Sequence, residues 1–382
     1  MIATELKLLS VTPNMQYKII EFTPAVFGSD GLYGGAERYV ASLAQGINQN
    51  ESANCNATVV GFGARTSVSE CKGVRTHTIG VDPGVLSSAS GSAAELYELF
   101  AEADLIHIHQ MFSRAGQLAA LTSLQLNKPF VLTDHGGGDD LDVPCLDALR
   151  QAAAGVYVSQ VSKSHCEELL KLQRTKIFIG PVDDKFFKNG NSFRGRAVLF
   201  TGRILPHKGV DRIICNLPSN LPLTIAGAMQ DERFYNDLVK LAAGKKVNFI
   251  LDPDDDTLIT LYQTHNVYCI ASTHHDRYGR RHKKPELMGI TTMEALASGC
   301  AVLVAKTGAL PEVIEGASPD FARVFASDDE LNSLLGDIAS GLWPHDNACH
   351  VSAATFAEKF RKRSLGTMMV DLYKSILSAG DA

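Results

Sequence analysis

The chain of 382 residues lacks the marks of several protein classes. Its eight cysteines are scattered, with no Cys-x-x-Cys pair and no ligand-like group of Cys and His, which argues against a disulfide framework or a structural zinc. No uninterrupted apolar run is long enough to span a bilayer, and no charged-then-apolar leader opens the sequence. The expectation is a cytoplasmic protein, with at most peripheral contact at the inner face of the membrane. A net charge of -6 without a basic tail offers no electrostatic footprint for nucleic acid. No Gly-x-Gly-x-x-Gly follows a strand-like run, which disfavours a dinucleotide-dependent dehydrogenase.

What is present is alternation. Lys18-Ile19-Ile20-Glu21-Phe22 reads as a buried strand, followed by a loop with Pro24, Gly28, Gly31, Gly34 and Gly35, then a helix with Ala36, Val40, Leu43 and Ile47 on one face. Strands are predicted again over 57–62 and 75–79, a helix over 93–103, and a strand over 104–109 that ends in His107 and His109. Residues 128–140 repeat the pattern, running into His135, three glycines and the pair Asp139 and Asp140. A second alternating half follows the hydrophilic stretch 185–196, with strands over 197–202, 223–227, 247–250 and 267–272. Alternating strands and helices imply parallel sheets, whose ligands bind beyond the carboxyl ends of the strands. Two domains of ordinary size follow, over 1–186 and 187–366.

The most informative stretch runs from Pro285 to Gly299. Ile290, Met293 and Ala297 recur at helical spacing, with Gly289 opening the run, Glu286 just before it and Glu294 in its second turn. The first turn of a helix has unpaired N–H groups at the positive end of its dipole, so Gly289, Ile290 and Thr291 form an anion site suited to a diphosphate. A rise of roughly 1.5 Å per residue puts Glu294 about 8 Å further along, which matches a nucleotide sugar. Glu286 would then accept hydrogen bonds from sugar hydroxyls and Glu294 from a ribose diol. Taken alone, the same spacing also fits an amphipathic helix whose glutamates face water.

This stretch resembles the signature of two glutamates separated by seven residues in retaining glycosyltransferases of the GT-B fold, family 4 in particular. Three other blocks resemble the family in order. Gly34-Gly35-Ala36-Glu37 matches its Gly-Gly-x-Glu segment, which approaches the donor diphosphate. Thr133-Asp134-His135-Gly136 matches a Thr-x-His-Gly block, placing His135 on the acceptor side. Gly202-Arg203 with Lys208-Gly209 matches the Gly-Arg-x(4)-Lys-Gly block. Cations placed there stabilise charge growing on the departing phosphate, a role given to Arg203 and Lys208. His109 matches the family's active-site histidine. The resemblance implies two Rossmann-like domains facing a cleft, with the nucleotide sugar held mainly by the second and the acceptor, a glycan, a lipid-linked molecule or a small molecule, by the first. It also implies a final helix, 367–382, crossing back to the first domain, and chemistry that needs no metal or other cofactor. A nucleotide-sugar epimerase and a non-catalytic nucleotide-sugar-binding protein are the alternatives.

Two acidic clusters mimic metal sites. Asp139 and Asp140 lack a converging set of oxygen ligands and read as solvated loop acids. Asp252 to Asp256 precedes a helical pattern, so these acids read as a helix cap. The segment 274–284 departs most from the family, with five Arg or Lys and three His in eleven residues. It reads either as a flexible solubilising loop or as a lid that meets an anionic group through Arg280 and Arg281, since the planar guanidinium binds carboxylate or phosphate in a bidentate way.

Overall fold

The computed structural model describes residues 16–26, 34–50, 54–81, 93–136, 143–187, 194–345 and 348–380. Gly28, Gly31, Asp139, Asp140 and the boundary residues Asn189 to Asn191 lie outside the described residues.

Two sheets organise the chain. The first contains β1 (Tyr17–Ala25), β2 (Cys55–Gly63), β3 (Ser67–Cys71), β4 (Val74–Gly80), β5 (Leu105–His109), β6 (Phe130–Asp134), β7 (Ala154–Tyr157) and β8 (Thr175–Ile177), in the spatial order β3-β4-β2-β1-β5-β6-β7-β8. The second contains β9 (Gly195–Thr201), β10 (Leu223–Gly227), β11 (Val247–Leu251), β12 (His265–Ile270), β13 (Ala301–Ala305) and β14 (Ala322–Phe325), in the order β11-β10-β9-β12-β13-β14. All pairings are parallel except the exposed edge hairpin β3–β4, which the sequence reading did not anticipate. The central strands β5, β6, β10 and β13 are buried along their whole length, as apolar strands covered by helices on both faces must be.

In both sheets the winding reverses direction once, between β1 and β5 in the first and between β9 and β12 in the second. A crevice opens at such a reversal because the connections on either side of it leave in opposite directions. The final helix, Lys362–Gly380, packs along the helix Gly35–Asn48 of the first domain. Glycine permits this crossing: a Cβ on Gly46 would lie 2.0 Å from the Lys362 carbonyl oxygen, and one on Gly366 would lie 2.2 Å from the Gly46 carbonyl carbon. The crossing is tied by Lys362, whose buried ammonium reaches Gln45 Oε1 at 2.9 Å and Asp183 Oδ1 at 3.2 Å. Among the described residues, no helix is long and apolar enough to cross a membrane.

Candidate active site

On the second domain, the site is built from the loops beyond β9 and β12. Gly209 sits in the left-handed region at φ 69°, where a Cβ would stand 1.9 Å from the Ala271 carbonyl oxygen. This close approach seats Lys208 beside the end of β12. Glu286 is anchored by its own backbone, whose carbonyl accepts from Ala309 N at 3.0 Å. Gly289, at φ 73°, caps the helix Ile290–Ala297. The three meet at one carboxylate: Glu286 Oε2 accepts from Lys208 Nζ at 2.8 Å, and Oε1 accepts from Gly289 N at 3.2 Å.

The carboxylate expected to accept from sugar hydroxyls thus engages two of the groups expected to hold a diphosphate, since an ammonium and a helix N-terminus both attract an anion. Arg203 is exposed and forms no ion pair among the described residues. From the first domain, Gly35 faces this helix start, where a Cβ would lie 3.5 Å from Ile290 Cγ2. Gly34, Gly35, Gly289 and Ile290 are thus brought together across the cleft. Thr291 is not free, since its hydroxyl pairs with the Tyr268 OH at 2.7 Å.

Glu294 is 3% exposed and partnered from within. Its Oε2 accepts from the Tyr262 OH at 3.2 Å, and Oε1 lies 3.7 Å from Arg38 Nε of the first domain. Burial pushes its carboxyl upward and outweighs the nearby Arg38. Arg38 also donates to Asp255 Oδ1 at 2.7 Å, and Lys185 pairs with the same carboxylate. Of the acidic run, Asp254 caps its helix by accepting from Thr257 N at 2.8 Å, while Asp255 serves this bridge between domains. Arg38 was missed from sequence, where a helical arginine carries no signal.

On the first domain, His109 lies within a buried polar chain. Its side chain is fully buried and both ring nitrogens are engaged, Nε2 with Glu21 Oε2 at 2.8 Å and Nδ1 with His135 Nε2 at 3.0 Å. The residue that ends β5 points inward, and His135 from the next strand end stands in front of it. Burial, with His107 nearby, lowers the pKa of His109 to about 4, so it is neutral at neutral pH. His107 is bonded to Thr133 Oγ1 at 2.7 Å and to the Tyr373 OH at 2.6 Å. Tyr373, on the final helix, donates to Glu21 Oε1 at 2.7 Å. Burial works against ionisation of Glu21, but His107 and His109 outweigh it and hold the carboxyl at about 2.

Glu21, His107 and His109 offer ligand atoms within 4.8 Å of one another, the kind of group that can hold a metal. Their direct contacts of 2.8 and 3.1 Å are hydrogen-bond lengths, shorter than the roughly 3.4 Å that separates ligands around a tetrahedral ion with bonds of about 2.1 Å. Glu21 carries a sequence signal: it is the one carboxylate in β1, set between Ile20 and Phe22.

The basic segment is an ordered hairpin. Asp276, 8% exposed, accepts from Tyr278 N at 2.9 Å and Arg280 N at 3.0 Å through Oδ1, and pairs with His282 Nε2 at 2.8 Å through Oδ2. The Tyr278 OH donates to Asp237 Oδ2 at 2.8 Å. Arg280 and Arg281 project from this frame into solvent with no ion pair among the described residues. Lys284 reaches across the cleft to within 3.8 Å of Asp134 Oδ2.

Comparison with known proteins fits this geometry. The family described as Glycosyltransferase Family 4 matches residues 33–219, and Glycosyl transferases group 1 matches residues 182–338. An uncharacterized glycosyltransferase of Methanocaldococcus jannaschii is 30% identical over 155 residues, which is 39% of this chain and 34% of that protein. Among solved structures, the sucrose-phosphate synthase of Thermosynechococcus elongatus aligns with a TM-score of 0.72 at 16% identity, covering 95% of this chain and 100% of that one. The Anabaena protein HepE, solved with UDP and glucose, aligns at 0.67 and 17% identity over 94% and 100%. With two parallel sheets, the ordered blocks placed at the winding reversal of the second, and both family matches in sequence, this chain belongs to the family 4 glycosyltransferases of the GT-B fold.

Proposed function

We propose that the protein transfers a sugar from a nucleoside-diphosphate sugar to a hydroxyl acceptor, with retention of configuration and without a metal. The observation that carries this reading is the convergence of Lys208 Nζ and Gly289 N–H on one carboxylate, with Arg203 of the same loop exposed and in no ion pair among the described residues. These groups form an anion seat that the Glu286 carboxylate fills in this structure. On donor binding the diphosphate takes over Lys208 and the helix N-terminus of Gly289, Ile290 and Thr291, and Glu286 is released to accept from sugar hydroxyls. Arg203 and Lys208 then stabilise the charge that grows on the leaving phosphate, the task otherwise met by a cation. Departure and attack occur on one face of the sugar, and the leaving phosphate takes the acceptor proton. Glu294 receives the ribose once Arg38 swings aside, while His135 faces the acceptor side. The bound UDP and glucose described for HepE support a nucleotide sugar as the donor class.

The test is a panel of UDP-, GDP- and ADP-sugars screened first for protection against thermal unfolding and then for turnover. Free nucleoside diphosphate formed only with acceptor, and undiminished by EDTA, is the expected result. An isomerised donor would indicate an epimerase, binding without turnover a binding protein, and loss with EDTA restored by manganese a metal-dependent transfer.

A further inference from the structure

The buried polar chain of the first domain has an order that the transfer reading leaves unused. Glu21 Oε2 faces His109 Nε2, His109 Nδ1 faces His135 Nε2, and His135 Nδ1 is a buried atom with no hydrogen-bond partner among the described residues. An ionised carboxylate accepts only, so His109 carries its proton on Nε2 and its Nδ1 is a bare acceptor. His135 must then donate from Nε2, and its own Nδ1 is left as a bare acceptor. The position of that atom makes this consequential. Gly136 follows at φ 84° and abuts Leu287 of the second domain, which places His135 at the boundary between the domains. The Tyr39 ring lies 4.6 Å from the His135 ring, and the Tyr39 OH is a second buried atom without a partner among the described residues. A buried acceptor and a buried donor left open in one neighbourhood are costly unless a ligand or water satisfies them.

We propose that Glu21 is a positioning residue: through His109 it fixes His135 as the Nε2–H tautomer, so that His135 Nδ1 stands ready to accept a hydrogen bond from a hydroxyl of the bound sugar or acceptor. The device rests on the transfer reading for the identity of its ligand, but the tautomer itself does not. Tyr373 belongs to the same device. By donating to Glu21 Oε1 it leaves Oε2 for the histidines, so the returning C-terminal helix holds the carboxylate in register.

Nitrogen-15 NMR of histidine-labelled protein at pH 7 reads the tautomers directly. In the unaltered protein both His109 and His135 are expected as Nε2–H, and an Nδ1–H signal for His135 would overturn the proposal even if no variant folded. Glu21→Gln offers one acceptor oxygen where the carboxylate offered two. With the Tyr373 OH occupying it, the amide N–H2 faces His109, and the tautomers of His109 and His135 should both invert. Adding Tyr373→Phe frees the amide to turn its oxygen to His109 and should restore them. A His135 tautomer indifferent to both changes would reduce Glu21 to a packing role. With a donor and acceptor from the panel, Glu21→Gln should lower kcat by on the order of tenfold while the KM for the nucleotide sugar stays near its original value, because the diphosphate seat lies on the other domain. Equal loss with His135 unchanged in tautomer would count against the relay. Should no nucleotide sugar turn over at all, the transfer reading fails alone, and the tautomers still decide the role of Glu21.

Discussion

The two domains each carry a polar cluster near the point where the sheet reverses its winding, and the clusters differ in kind. In the first domain, Glu21, His107 and His109 lie on the strands themselves, between helices that cover both faces, and every ligand atom of the three is satisfied by a neighbour. In the second, Lys208 and Glu286 lie on loops past the strand ends, remain partly exposed, and pair with each other. A polar group within a strand buried on both faces has no water to fall back on, so it must be paired internally before any ligand arrives. A loop group can trade one partner for another. The first cluster therefore suits the positioning of His135 at the domain boundary, and the second the exchange of an internal anion for a substrate.

The largest effect that would break this contrast is on turnover. Glu286→Gln should leave the fold intact yet reduce kcat by on the order of a hundredfold or more, with Lys208→Ala comparable, because each removes a charge-assisted contact from the reacting centre. Near-normal kinetics in either variant would remove the second cluster from the chemistry.

An effect of intermediate size separates the clusters by pH. His109 titrates near 4 in the folded chain against an ordinary 6.5, so between those values the unfolded chain binds a proton that the folded one refuses. Stability then rises with pH across that window and is lost as pH falls from 6.5 towards 4, on the order of 2 kcal/mol by pH 5 from this group. Glu21, depressed to about 2, adds a loss of the same sign as pH falls below 4.5. His207, beside Lys208, is lowered to about 3 by burial and by that lysine, and also acts in this direction. Melting temperatures measured from pH 7 to pH 4 should show a slope that His207→Asn reduces but does not abolish, the remainder coming from the first cluster. A flat profile would contradict the neutral, sealed first cluster.

The smallest effect concerns the hairpin. Replacing Arg280 and Arg281 by Ala should raise the KM for an anionic acceptor or an acidic donor sugar a few-fold and flatten its salt dependence, since exposed charges act mainly through screened, long-range attraction. The Asp276 frame should keep the rest of the hairpin folded, which circular dichroism would check. Identical kinetics across a salt series would return these arginines to a solubilising role.

The sequence by itself determined the alternation of strands and helices and the glycine positions that admit close backbone approach. It also determined the local spacing of Glu286, Gly289 and Glu294, since periodicity and backbone freedom are properties of neighbouring residues. The cap formed by Asp254 was legible for the same reason. Only the tertiary structure decided which way a polar side chain on a strand faces and what meets it there. His109 looked like a cleft residue because it ends its strand, yet the alternation of side chains along that strand turns it inward onto Glu21, with His135 before it. The ring of partners around Glu21 is closed by Tyr373, 352 residues away, and the anion on Lys208 comes from 78 residues away. Pairings across such separations depend on how whole layers pack, which no local pattern encodes.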